Sequence, residues 1–113
     1  MAYEKMIRLI NRLYQKTYDD EIAWETTSDE DAFQRSFPKY SVMILRRGPS
    51  AGQFFQLYDE DGRLIEEISH QDAVGQGIDV TDFFDMVRRK ALGVDKALDE
   101  LLEELDRPQT EKR

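Results

Sequence analysis

The segment from Tyr40 to Arg47 constrains this chain more than any other. Its centre, Val42-Met43-Ile44-Leu45, is apolar at every position, with Pro38 before it and Gly48-Pro49 after it. So short a run of β-branched, sulfur-bearing and aromatic residues favours extended backbone over helix. Successive strand side chains point to opposite faces, so Tyr40, Val42 and Ile44 share one face and Ser41, Met43 and Leu45 the other. A strand apolar on both faces belongs in mid-sheet and needs partners on either side.

Those partners are present. Phe33, Arg35 and Phe37 alternate with Gln34 and Ser36 until Pro38 stops the run. After the Gly48–Gly52 loop come Gln53–Tyr58 and Arg63–Ser69, separated by Asp59-Glu60-Asp61-Gly62. Gly62 can adopt the left-handed backbone that closes a short hairpin with a bulge. Ile22–Thr27 is a further short β-favouring segment, followed by a turn at Ser28–Asp31. Residues 70–78, with Gly75 and Gly77, read as a mobile connection.

Helices bracket the strands. In residues 2–17, Tyr3, Met6, Ile7, Ile10, Leu13 and Tyr14 form one stripe, with Lys5, Arg8, Arg12 and Lys16 opposite. A second helix starts at Asp79 or Thr81, buries Phe83, Phe84, Val87 and Ala91, and stops at Gly93. A third covers 94–106, with Leu98, Leu101, Leu102 and Leu105 expected inward, and Pro108 ends it. The expected fold class is α+β: an N-terminal helix, an antiparallel meander of three to five strands and two C-terminal helices. It makes one domain over residues 1–106, with 107–113 a frayed tail.

Composition narrows the chemistry. The 113 residues include no cysteine, which removes disulfides, thiolate metal sites and cysteine nucleophiles together. His70 is the only histidine, so no multi-histidine metal centre can form. Ser69 and Asp72 stand near it in sequence, but no nucleophile elbow accompanies them. Asp59-Glu60-Asp61-Gly62 fails as a calcium loop, because placing Gly62 sixth puts Leu57 first and Ile68 twelfth. The pairs Asp19/Asp20 and Glu66/Glu67 read as solvated charge. The expectation is a non-enzymatic chain with no metal and no cofactor.

The net charge of −8 disfavours nucleic acid and acidic membrane surfaces. No stretch is long and apolar enough to span a bilayer, and the charged start lacks a secretory apolar run, so a cytoplasmic location is expected.

Three pieces, Trp24-Glu25-x-Thr27-Ser28-Asp29-Glu30, Phe33-Gln34-x-Ser36-Phe37 and Tyr40-Ser41-Val42, resemble a small prokaryotic α+β domain of uncharacterised function. Tyr58-Asp59-x-x-Gly62 and Arg89-Lys90-Ala91-Leu92-Gly93-Val94-Asp95 fit the same pattern. The resemblance implies a bacterial accessory domain of the kind found beside larger effectors in antiviral defence or conflict gene clusters. It implies no site residues.

The expected function is protein binding: an accessory subunit or adaptor that docks on a larger partner or on itself. Two arrangements of the sheet stay open. Three helices can cover both faces, the first on one and the last two on the other. Otherwise Met43, Leu45, Phe54, Tyr58 and Ile65 form an apolar docking patch flanked by Gln56 and Glu67, with Trp24 at its edge. Arg8 and Arg12 on the basic first helix should face acidic surface, either the chain's own last helix or a partner. The alternative function is an acidic inhibitor or immunity protein that blocks a basic nuclease or toxin surface.

Overall fold

The first helix forms because its apolar residues recur every three or four positions, and the structure shows what that stripe meets. In the computed structural model, which describes residues 4–48, 52–75, 77 and 82–108, α1 spans Glu4–Tyr18 and buries Met6, Ile10, Leu13 and Thr17. Five strands follow: β1 Glu25–Thr26, β2 Ala32–Ser36, β3 Tyr40–Arg46, β4 Gln53–Asp59 and β5 Leu64–Ser69. They pair antiparallel in sequence order, β1-β2-β3-β4-β5. Three helices follow the sheet among the described residues: α2 His70–Gly75, α3 Phe83–Ala91 and α4 Val94–Asp106. The α+β order expected from the sequence is the order observed. Tyr3, Pro49–Ala51 of the loop, the capping candidates Asp79 and Thr81, and the tail from residue 109 lie outside the described residues.

Register sets the core. Phe33, Ile44, Phe55 and Ile68 stand opposite one another across four strands, and all four are buried. Val42 and Leu57 make the next row on that face. α1 and α3 both close over it, contributing Met6, Ile10, Leu13, Phe83, Phe84 and Val87. Phe83 is the hub: Tyr14, Trp24 and Phe55 place their rings 5.2, 6.0 and 5.6 Å from it. Such tilted and edge-on ring pairs add to the burial of their apolar area.

Two turns explain themselves through single residues. Gly62 holds φ at 83° in the β4–β5 hairpin. Asp59 completes that turn, its carboxylate accepting from the backbone N–H groups of Asp61 and Arg63 at 2.9 and 3.0 Å. The Arg63 N–H bond is the main reason the Asp59 carboxyl is held below its ordinary range. At the start of α3, Asp82 gives its N-terminus no side-chain cap. Instead the Gln53 side chain of β4 accepts from the Phe84 N–H at 3.0 Å, tying the helix to the sheet.

Two expectations are corrected. Residues 70–75 are helix, not irregular connection: the Ser69 hydroxyl accepts from the Asp72 N–H at 3.0 Å and starts the turn. The second correction concerns α4, whose limits match the expected 94–106. None of its residues is buried; Leu98, Leu101, Leu102 and Leu105 are 47%, 59%, 58% and 77% exposed. Among the described residues its substantial contact is with α3 alone. The molecule is accordingly drawn out to 63 × 30 × 27 Å, with a radius of gyration of 17.4 Å. A compact chain of this length would have one of roughly 13 Å.

Candidate interaction surface

Three apolar surfaces compete for the role. The first is the expected sheet patch, and the structure divides it. Met43, Leu45, Phe54 and Tyr58 do share the face turned away from α1 and α3, and all four are half-buried. That face is not simply apolar. Gln56 lies buried in its middle, accepts from the Tyr58 hydroxyl, and donates to the Glu67 carboxylate at 2.6 Å. Arg47 reaches the same carboxylate at 2.8 Å while its guanidinium lies 4.2 Å from the centre of the Phe54 ring. The Gln56 amide first, and then Arg47, hold the Glu67 carboxyl below its ordinary range against the opposing effect of burial. A polar chain from Tyr58 to Arg47 therefore crosses the middle of the patch.

Trp24 and Ile65 leave that patch altogether. Trp24 is 5% exposed: its indole N–H donates to the Thr17 hydroxyl at 2.9 Å, and its ring meets Phe83 edge-on. It is a core residue joining α1 to the sheet. Ile65 moves because the β4–β5 ladder slips, pairing Leu57 with Glu66 but Tyr58 with Leu64. The extra residue is displaced from the alternation, as in a β-bulge. Ile65 consequently lines a hollow with Leu57, Met6 and Leu9 on the α1 side.

That hollow belongs to the second surface, a groove between α1 and the sheet. Adjoining depressions of about 390, 300 and 330 Å³ all share Leu9. Phe37, Tyr40, Val42 and Leu57 form its apolar wall on the sheet. The α1 wall is basic: Lys5, Leu9, Arg12 and Lys16 follow at helical spacing, with Arg8 beside them. Lys16 pairs with Glu21 at 2.9 Å. Lys5, Arg8 and Arg12 have no ion-pair partner among the described residues. Arg8 and Arg12 thus form no ion pair with the chain's own last helix, one of the two acidic surfaces expected to face them, among the described residues. The Lys5-Leu9-Arg12-Lys16 spacing was the sequence signal for this groove.

The third surface is α4. Val94, Leu98, Leu101 and Leu105 alternate spacings of four and three and form a straight stripe, while six acids, one lysine, Ala97 and Leu102 make up the rest of the helix. Gly93 orients it. At φ 66° it ends α3 in the left-handed conformation and starts α4 in a new direction. Arg89 reaches across the joint to Asp95 at 2.7 Å.

No three His, Cys, Asp or Glu side chains among the described residues are grouped to hold a metal ion. His70 begins α2, half-buried, where Ser69 uses its hydroxyl to start the helix. No helix among the described residues is long and apolar enough to cross a membrane. No family model, curated protein or solved structure matches the chain.

Proposed function

We propose that this chain is a non-enzymatic protein-interaction module, a small cytoplasmic accessory subunit or adaptor whose partner is a protein and not a nucleic acid or membrane. The observation that carries the reading is α4, thirteen residues of amphipathic helix with no residue buried. A helix with one leucine face and one charged face gains most of its stability by laying the leucines into an apolar groove. Packing that is missing within the chain is what a docking helix supplies to a partner. By the resemblance noted above, a larger effector of a defence system is the fitting class of partner.

The test is capture of a partner from the native host by the wild-type chain and by Leu101→Asp with Leu105→Asp. The expected result is loss of the partner by the variant at an unchanged melting temperature. Retention of the partner by the variant would remove α4 from the role.

One observation favours a second reading, the acidic inhibitor. Asp99, Glu103 and Asp106 on α4 have no ion-pair partner among the described residues. An inhibitor acting through those charges would lose affinity steeply with added salt, whereas leucine-driven docking would change little.

A further inference from the structure

The groove beside Leu9 and the stripe of α4 are both open, and their chemistry is complementary. We propose that α4 of one copy of this chain docks in the α1 groove of a second copy, and reciprocally, to form a dimer. This rests on reading α4 as a docking helix and names the occupant of the groove.

Charge makes the match. α1 carries four bases against one acid, and α4 carries six acids against one base. On α4, Asp99 and Asp106 stand one turn either side of Leu102, along the margin of the leucine stripe. They lie two turns apart, about 10 Å along the axis, as do Lys5 and Arg12 on α1. None of these four charges is paired among the described residues. Seated in the groove, the leucines meet Leu9, Val42 and Leu57 while the aspartates meet the basic wall. Opposed charges of this kind set the direction of a docked helix and speed its capture.

The chain's own α4 is badly placed for the same groove. α3 holds one flank of α1, through Tyr14 to Asp82 at 3.0 Å and Asp20 to Lys90. The groove opens on the other flank. Only Leu92 and Gly93 join α3 to α4, so folding back would carry α4 across α1, a body about 10 Å wide. A second copy meets no such obstacle, and two-fold symmetry uses each contact twice.

Sedimentation of the full chain over a salt series tests this. A dimer at low salt that weakens as salt rises is expected, because in this contact the aspartate–base pairs add to the leucines and are screened. Arg8→Glu with Arg12→Glu, and separately Asp99→Lys with Asp106→Lys, should each weaken self-association about tenfold or more at wild-type melting temperature. Mixing the two variants restores both contacts and should yield a one-to-one heterodimer. A wild-type chain that stays monomeric would overturn the proposal. So would a mixture that stays monomeric, or a dimer that survives both charge variants yet is lost in Leu101→Asp, which would mean α4 pairing with α4. In any of these cases, loss of a captured host partner in Leu101→Asp with Leu105→Asp would still leave the docking-helix reading standing.

Discussion

Thr17 links helix and sheet with one hydroxyl. It donates to the Leu13 carbonyl at 2.6 Å and accepts from the Trp24 indole at 2.9 Å, fully buried in both roles. Thr17→Val keeps the shape and strands the indole N–H. The expected cost is about 1–3 kcal/mol by urea or thermal melt, with Thr17→Ser losing less because it keeps the acceptor. Glu67 makes a different kind of contribution. Its folded-state carboxyl is depressed, so its stabilisation is complete above the ordinary glutamate value of 4.5 and is lost as pH falls through the lower folded value. Melting temperature should therefore drop with acidification over that window, and Glu67→Gln should flatten the drop; a parallel curve in the variant would deny Glu67 the role. Neither network was legible in the sequence. Thr17 lies seven residues from Trp24 and Gln56 eleven from Glu67, and only the folded chain brings them together.

Elements were legible where local periodicity determines them, and illegible where their burial depends on something distant. The strands were readable because alternation and the Asp-Gly turn are local signals; β3 ends one residue short of the expected Arg47. The limits of α4 were readable from Gly93 and Pro108. Its environment was not, because a leucine stripe specifies a face that needs covering and not what covers it. Ile65 illustrates the same limit for a strand: a one-residue slip in the ladder sends the side chain to the other side, and no residue type announces it. The short α2 did carry a signal in Ser69-x-x-Asp72, the spacing of a helix-starting box. The separateness of α4 has a measurable consequence. A chain ending at Gly93 should melt at the wild-type temperature while losing helical circular dichroism, whereas Phe83→Ala at the hub should cost about 3–5 kcal/mol. A truncated chain that melts several degrees lower would show α4 to be structural.

At the scale of the whole molecule, sheet and helices are joined by contacts of very different range. Every strand pairs with its neighbour in sequence, while α1 meets α3 across 68 residues, as between Tyr14 and Asp82. Short-range pairings close small loops and form early; long ones must first overcome the larger closure entropy. In stopped-flow experiments, Ile44→Val or Phe55→Leu should therefore slow folding, whereas Met6→Leu or Val87→Ala should chiefly speed unfolding. Equal partition of all four between the two rates would contradict this order. The same arrangement matters while the chain is being made. Synthesis runs from α1 toward α3, and at ordinary elongation rates those 68 residues take roughly 3 to 14 seconds. Throughout that interval the apolar stripe of α1 lacks the α3 side chains that complete its cover, and its four bases stay free to adhere to any polyanion nearby. Until α3 emerges, the nascent α1 thus stays without the shelter that α3 completes.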